Sequence, residues 1–310
     1  MSTTLLISHP ACLLHLTPAG HPERPDRLRA VEAALEAEKF QMLARVEAPR
    51  APLETIALCH PMDYIEALCD ATPAEGIVHL DADTSMSPGS FEAALRAAGG
   101  AIHAVDEVVG KKAANAFVAT RPPGHHAETA RPMGFCFFDN AGIAARHAQN
   151  KHGIARAAIV DFDVHHGNGS QEIFWADKTV MYCSTHQMPL FPGTGAIGES
   201  GDYNTVVNAP LRPGDGAEKF RDAFDSRILP RLAEFQPELV IISAGFDAHY
   251  RDPLANINLE EADFAWATQK IMEVADRHAG GRVVSLLEGG YDLQALGNSV
   301  AAHVNALMRG

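Results

Sequence analysis

Residues 158–169 place two aspartates and two histidines at the end of a short apolar run, just before a glycine-rich turn. Asp163 and His165 are two residues apart, so an extended strand would point both side chains to the same side. A carboxylate and an imidazole in that arrangement can share a divalent cation. Asp247 would add a third ligand and leave one position open for water, as a catalytic zinc site requires. A helix cap or a turn is the alternative role for Asp247.

Two further groups could act on a substrate held by such a metal. His125 and His126 follow a stiff Pro-Pro-Gly turn, and imidazoles are the usual proton carriers near pH 7. Tyr291 follows two glycines and could donate a hydrogen bond to a substrate carbonyl. Solvated loop histidines and a half-buried loop tyrosine are the structural alternatives. Together these residues favour metal-assisted hydrolysis of a carbonyl substrate, in which metal-bound water attacks and a histidine moves protons.

The polar clusters follow short apolar runs that alternate with amphipathic stretches. This alternation predicts an α/β fold with a mostly parallel central sheet and helices on both faces. The predicted strands are residues 5–8, 116–119, 158–161, 180–183, 239–243 and 283–287. The predicted helices are residues 25–39, 88–109, 140–151, 217–235, 259–279 and 294–308. Because ligands bind beyond the carboxyl ends of such strands, one rim of the sheet is expected to hold the site.

Composition sets broad limits on the class of protein. The 310 residues are 46% hydrophobic and 21% charged, which is typical of a globular chain, and neither a repeat nor a composition break divides them. We therefore expect one domain over residues 1–310. No apolar run approaches the roughly 20 residues that span a bilayer, and the N-terminus lacks the features of a secretion signal. A cytoplasmic protein that does not bind membranes is expected.

Cysteine usage and net charge add to these expectations. The five cysteines are scattered and form no C-x-x-C, so reduced thiols are expected rather than disulfides or a thiolate zinc site. The formal charge of -14 argues against a nucleic-acid partner and favours the approach of cationic substrates. The sequence leaves open whether the chain forms a homo-oligomer.

Six motifs, in this order along the chain, closely resemble those of the histone deacetylase superfamily. They are R-P-P-G-H-H-A at residues 121–127, G-F-C-F-F-D-N at 134–140, D-F-D-V-H-H-G-N-G at 161–169, F-P-G-T-G at 191–195, S-A-G-F-D-A at 243–248 and E-G-G-Y at 288–291. The resemblance runs from H-P-E-R-P-D-R at residues 21–27 to the C-terminal helix. Within the superfamily the chain is similar to the bacterial class II type, the histone deacetylase-like amidohydrolases. This resemblance implies an arginase/deacetylase fold and Zn2+-dependent deacylation of an acylated amine.

The resemblance also implies a role for each residue at the rim. Asp163, His165 and Asp247 match the ligands of one zinc ion per chain. Tyr291 matches the residue that polarises the carbonyl group, and its presence implies an active deacetylase. His126 matches the general base and acid.

Two dyads support this machinery. His125 matches a second histidine, which is oriented by the carboxylate of Asp161. Asn168 stands where class I members have an aspartate, so the imidazole beside it is expected to be less stabilised as a cation. A structural potassium ion is implied close to the zinc, with ligands from Asp161, Asp163, His165, Ser184 and Thr185.

Further residues match the surroundings of the substrate. Gly134, Phe135 and Phe191 match a tunnel that holds the linear acyl-lysine stem between aromatic walls. Arg27 matches an arginine near an inner acetate pocket. Asp83 is a candidate for the rim aspartate that binds substrate backbone amides.

The choice of substrate depends in part on Leu254. Polyamine-specific relatives can carry an acidic residue at the corresponding place, and leucine offers no such charge, which favours acyl-lysine in proteins or peptides. An acetylpolyamine amidohydrolase is the alternative, with an acetylated small amine as substrate. A ureohydrolase would need additional aspartates to bridge two manganese ions, and a non-catalytic acyl-binding module would be expected to lack a metal ligand or the tyrosine.

Overall fold

A computed structural model describes residues 3–309, so residues 1, 2 and 310 of the predicted domain lie outside the described part. Two sheets form within it. The strands are β1 Thr4–Ser8, β2 Ala44–Glu47, β3 Val78–His79, β4 Ser85–Met86, β5 Asn115–Val118, β6 Ala157–Asp161, β7 Val180–Gln187, β8 Val206–Leu211, β9 Leu239–Ala244 and β10 Val283–Leu287.

Eight of these strands form the central sheet, in the order β2-β1-β5-β10-β9-β6-β7-β8. Every neighbouring pair in it is parallel, whereas β3 and β4 form a separate antiparallel hairpin. The predicted parallel α/β architecture is confirmed.

Helices surround the sheet. They are α1 Asp26–Ala34, α2 Leu53–Ile56, α3 Met62–Asp70, α4 Ser90–Val109, α5 Asn140–His152, α6 Asn168–Phe174, α7 Ala217–Ala223, α8 Leu229–Phe235, α9 Glu261–His278 and α10 Leu293–Leu307. Short 3-10 helices span Pro10–Leu14 and Glu38–Phe40. Over residues 3–309, no helix combines the length and the apolar character needed to cross a bilayer.

Alternate residues of the central strands pack against opposite helical layers. In β6, Ala158 and Val160 belong to the core that includes residues of α9 and α10, whereas Ala157 and Ile159 belong to the core that includes residues of α4 and α5. Because both faces are covered, the strand reads as a continuous apolar run rather than an alternating one. This continuity is why the sequence identified the inner strands.

The inner strands also position the functional loops. The strands β5, β10, β9 and β6 are adjacent at the middle of the sheet, and each ends in one of the polar motifs. Parallel strands present their carboxyl ends at one edge, so the four loops meet there. Helix α5 begins at this edge, where Asp139 caps it by accepting a 2.6 Å hydrogen bond from the Gly142 amide.

Two outer strands were not predicted, for physical reasons visible in their sequences. All four residues of β2 are exposed, so this strand lacks an apolar run. The strand β8 contains Asn208 and Pro210, and proline is tolerated there because β8 is an edge strand.

Three predicted elements have different bounds in the structure. The helix predicted over residues 217–235 is interrupted by a π-helical segment, Phe224–Ile228; Pro230 follows, and proline cannot continue the regular α-helical hydrogen bonds. The helix predicted over residues 25–39 ends at Ala34, after which the chain turns and buries Phe40. The predicted glycine-rich turn at the end of residues 158–169 leads directly into α6.

Candidate metal-dependent active site

Asp163, His165 and Asp247 converge beyond the ends of β6 and β9. The His165 Nδ1 atom lies 3.2 Å from Asp163 Oδ1 and 3.0 Å from Asp247 Oδ2, and one ligand atom of each residue lies within 4.8 Å of the other two. All three residues are buried. The structure therefore brings the three predicted ligands together; we call them the catalytic-edge cluster.

The route by which they converge differs from the expected strand alternation, because β6 ends at Asp161. Asp163 Oδ1 instead accepts a 2.9 Å hydrogen bond from the backbone amide of His165, in a local turn that brings imidazole and carboxylate together. The amide of Val164 donates a 2.8 Å hydrogen bond to Asp247 Oδ1. That bond ties the loop after β6 to the loop after β9.

A glycine of the E-G-G-Y motif closes the cluster from the β10 side. The Gly289 amide donates a 2.8 Å hydrogen bond to Asp163 Oδ2. A Cβ atom at Gly289 would collide with the carboxylates of Asp163 and Asp247. Only glycine allows the backbone to approach both carboxylates this closely.

Electrostatics show that the cluster suits a cation. Burial disfavours the imidazolium of His165, yet hydrogen bonds and charge from Asp163 and Asp247 raise its pKa to about 10. Burial and the nearby Asp163 charge raise the pKa of Asp247 to about 6. Two carboxylates and one imidazole match the ligand types of catalytic zinc sites, so the residues fit a divalent cation.

The first histidine of the pair lies beside a carboxylate. His125 Nδ1 is 3.0 Å from Asp161 Oδ2, and the Tyr182 hydroxyl donates a 2.9 Å hydrogen bond to the same oxygen. Burial alone would lower the pKa of His125, but Asp161, Asp163 and Glu288 raise it well above its ordinary value. His125 is therefore held as a cation.

The second histidine has a neutral partner. His126 Nδ1 lies 2.9 Å from Asn168 Oδ1, while the Asn168 amide nitrogen donates to Glu128 Oε1 over 2.9 Å. The bond to Glu128 orients the amide so that its oxygen accepts a hydrogen bond from Nδ1–H, which leaves Nε2 free to act as a base. Burial and the imidazoles of His125 and His165 lower the pKa of His126 well below its ordinary value. His126 is therefore neutral.

A pocket of about 250 Å³ opens above the cluster. Nine residues line it, and they include every predicted substrate-binding residue: Asp83, His126, Gly134, Phe135, His165, Leu190, Phe191, Leu254 and Tyr291. Phe191 is 40% exposed and marks the entrance, and its ring lies edge-on to that of His126 with 5.1 Å between centroids. Leu190 was not predicted, although it directly precedes a motif phenylalanine.

Tyr291 is fixed from two sides. Its amide donates a 2.7 Å hydrogen bond to Asp252 Oδ2, and its ring lies 6.0 Å from that of Phe135. Arg27 is fully buried behind it, with its guanidinium 4.9 Å from the tyrosine ring centroid and a 2.6 Å hydrogen bond from Nε to the Gly290 carbonyl. Arg27 thus supports the loop that carries Tyr291.

Three residues that support the site were not predicted from the sequence. Glu288 Oε2 accepts hydrogen bonds from the Gly124 and His125 amides, and burial raises the pKa of Glu288 to about 8. Its place in the E-G-G-Y motif was a signal for this role. Asp252 precedes a proline in an ordinary turn, and Tyr182 lies within a strand, so neither had a local signal.

The residues predicted for potassium are also neighbours. Asp161 and Ser184 are partners in the register of β6 and β7, and Thr185 follows on β7. The Ser184 hydroxyl lies 2.9 Å from His186 Nδ1. Asp163 and His165 lie in the loop directly after β6. An ion at this place stays a prediction.

Comparison with known proteins identifies one family. A family model described as a histone deacetylase domain matches residues 21–307. Histone deacetylase 10, chloroplastic, of Oryza sativa subsp. japonica is 41% identical, over 93% of this chain and 70% of its own length. The histone deacetylase-like amidohydrolase of Pseudomonas aeruginosa is 40% identical, over 88% of this chain and 73% of its own length.

A solved structure gives the same result for the fold. The crystal structure of the HDA15 HD domain matches with a TM-score of 0.94 and 34% identity, over 100% of this chain and 89% of the other. The expected arginase/deacetylase fold and the resemblance drawn from the six motifs are confirmed.

Proposed function

The chain belongs to the histone deacetylase family of hydrolases, and from this premise we propose that it removes acyl groups from lysine side chains of proteins or peptides. One observation carries the proposal: His126, His165 and Tyr291 line one mostly apolar pocket, and the other two candidate metal ligands and His125 lie directly beside them. In the reaction the oxygen of water bonds to the carbonyl carbon and the C–N bond breaks. A proton goes to the amine, which leaves as the free lysine.

In this proposal the catalytic-edge cluster holds one Zn2+ per chain. When bound, zinc acts as a Lewis acid on the carbonyl group and lowers the pKa of a water molecule. The negative potential that raises the pKa of His165 supports cation binding, and the backbone amides of Val164 and Gly289 hold the carboxylates in place. These amides preorganise the ligands before a metal arrives.

The aromatic walls select the shape of the substrate. Phe135 and Phe191 line the pocket with Leu190 and Leu254, so an unbranched alkyl stem can bury its methylene groups between them. Each buried methylene contributes about 0.8 kcal/mol. Gly134 has a backbone φ of 55°, and a Cβ atom at this position would collide with the ring of His126. Glycine therefore keeps the pocket open beside His126.

The two histidines divide the proton chemistry. His126 is neutral and has Nε2 free, so it takes the proton from the attacking water and passes it to the leaving amine. His125 stays cationic beside Asp161 and contributes positive charge as the tetrahedral oxyanion develops. Tyr291, whose pKa burial raises well above its ordinary value, keeps its proton and donates it in a hydrogen bond to that oxyanion.

The test compares three substrates: an acetyl-lysine peptide, lysine peptides with longer acyl groups, and acetylated polyamines. We expect kcat/KM to be highest for an acyl-lysine peptide, because the Leu254 side of the pocket offers no charge for a second ammonium. A higher kcat/KM for acetylated polyamines would contradict the proposal and favour an acetylpolyamine amidohydrolase. Asp83, which lines the pocket, would then be the first candidate to bind the second ammonium.

The same assay with Tyr291→Phe tests the mechanism. Removing one hydrogen-bond donor to an oxyanion typically lowers kcat by about 100-fold to 1,000-fold, with little change in KM. Tyr203→Phe, which alters a tyrosine that is 57% exposed, is the matched control and should keep the rate. An unchanged rate in Tyr291→Phe would remove the tyrosine from the mechanism.

The number of metal ions bound at the catalytic edge distinguishes the proposed deacylase from a ureohydrolase. Two-manganese chemistry needs bridging carboxylates, and across residues 3–309 the group of metal-ligating side chains at this edge consists of Asp163, His165 and Asp247. We therefore expect the catalytic edge to hold a single ion.

A further inference from the structure

A second group of metal-ligating side chains lies between the last turns of α4 and α5. His147 Nε2 is 2.8 Å from Asp106 Oδ1, and His152 Nε2 is 2.7 Å from the same oxygen. The two imidazole rings are 5.7 Å apart between centroids. One ligand atom from each residue lies within 4.8 Å of the other two. We call these three residues the α4–α5 cluster.

An ion can reach this cluster from solvent. His147 is buried, but Asp106 and His152 are half-buried. A groove of about 460 Å³ opens beside Asp106 and His147, and His103 and Arg50 also line it. The groove leaves room for water molecules to complete the coordination of a metal held by three protein ligands.

The charges around Asp106 leave one of its oxygens for a metal. Lys151 Nζ lies 2.9 Å from Asp106 Oδ2 on the exposed side. Oδ1, in contrast, faces both imidazoles. The carboxylate can therefore bind a metal through Oδ1 while Lys151 holds Oδ2.

We propose that the α4–α5 cluster is a second metal site, which binds Zn2+ or a similar divalent transition ion through His147, His152 and Asp106. Two imidazole nitrogens and one carboxylate oxygen suit Zn2+, Ni2+ or Cu2+, whereas Mg2+ and Ca2+ prefer oxygen ligands. Without metal, the Nε2 atoms of both rings form hydrogen bonds with Asp106 Oδ1. A bound metal ion takes the place of the proton on each Nε2, and the displaced proton passes to Nδ1 or to solvent.

The site is separate from the catalytic edge. Helix α5 begins at Asn140, whose side-chain amide donates a 3.4 Å hydrogen bond to the Pro122 carbonyl in the loop that leads to His125. His152 is the last of the 13 residues of this helix. At 1.5 Å per residue, His147 and His152 lie about 10 Å and about 18 Å along the helix from Asn140. Metal binding there can therefore be measured apart from catalysis.

The experiment titrates Zn2+ into the purified protein by calorimetry and measures bound zinc by equilibrium dialysis. We expect uptake of two equivalents per chain, one for each group of ligands. His152→Ala and His147→Gln should each lower the affinity of the second binding event by at least about tenfold, since a site of three protein ligands loses one. Failure of the wild type to bind the second equivalent, or its retention in both variants, would overturn the proposal.

Two controls make the assignment specific. His79→Ala removes an exposed histidine of β3 and should keep both binding events. Asp247→Ala should lose the event at the catalytic edge and keep the event at the α4–α5 cluster. His152→Ala should keep the full deacylation rate, so a failed second site and a failed catalytic proposal give different results.

Discussion

The catalytic-edge cluster and the α4–α5 cluster use the same types of side chain in opposite ratio. The first has two carboxylates and one imidazole, all buried, on loops that follow parallel strands. The second has one carboxylate and two imidazoles at the ends of two packed helices, half open to solvent. Loops at strand ends bring backbone amides to the ligands, whereas the helices contribute only their side chains.

The difference lies in what balances the charge. At the catalytic edge two buried carboxylates repel one another, and burial disfavours both of them as anions; His125 and His165 hold the pKa of Asp163 below its ordinary value, but the pKa of Asp247 stays raised to about 6. A divalent ion would neutralise them. At the α4–α5 cluster the carboxylate of Asp106 already has two imidazoles and the ammonium of Lys151 as partners. We therefore expect tight metal binding at the first site and weaker, reversible binding at the second.

The largest expected effect comes from breaking the tighter site. Asp247→Ala removes a ligand, and losing even a hydrogen-bond partner of a ligand typically costs 10-fold to 100-fold in metal affinity. We expect the affinity of the catalytic edge for zinc to fall more than about 100-fold and deacylation to fall with it. Zinc content and kcat/KM measure the two effects.

Asp106→Ala is the matched control, because it removes an aspartate from the other cluster and should leave activity intact. Full activity in Asp247→Ala, or an equal loss of activity in both variants, would contradict the distinction between the clusters.

A smaller effect is expected at the α4–α5 cluster, where removing a nearby positive charge should raise the affinity for zinc. Lys151→Met removes an ammonium that lies 2.9 Å from Asp106 and would repel an incoming cation. A charge pair near the surface contributes up to about 1 kcal/mol, so the second zinc should bind about threefold to fivefold more tightly. Calorimetric titration at low ionic strength measures the change, which salt should reduce.

Lys178→Met, on an exposed lysine outside the cluster, serves as its control and should leave the affinity as it was. Weaker zinc binding in Lys151→Met would mean that the lysine supports the site by holding Asp106 in position.

The two clusters also differ in how far the sequence could predict them. Asp163 and His165 are neighbours in the chain, and Asp247 and Tyr291 follow apolar strands, so motifs and strand ends identified the catalytic edge. The same apolar runs identified the inner strands, whereas their order in the sheet is known only from the structure. Asp106 and His147 are 41 residues apart on two unremarkable helices. Only the packing of α4 on α5 brings them together, and the sequence has no local signal for it.

The supporting contacts show the same limit. Arg27 donates to the Gly290 carbonyl from 263 residues away, and Tyr182 reaches Asp161 across neighbouring strands. Such contacts depend on which strands and helices are neighbours. The composition and periodicity of a single segment do not show which other segments will pack beside it.

The smallest expected effect concerns the stability that Asp106 contributes without metal. Its imidazole and ammonium partners outweigh burial and hold the pKa of Asp106 well below its ordinary value. A lowered carboxyl pKa contributes stability above the unfolded-state value of about 4, and this stability is lost as the pH falls through the folded-state pKa. Because the group is partly exposed, Asp106→Asn should cost only about 0.5 kcal/mol at pH 7. Urea denaturation without added zinc should show the difference between wild type and variant shrinking below pH 4, and a difference that grew in acid would contradict the assignment of the carboxylate as the charged partner.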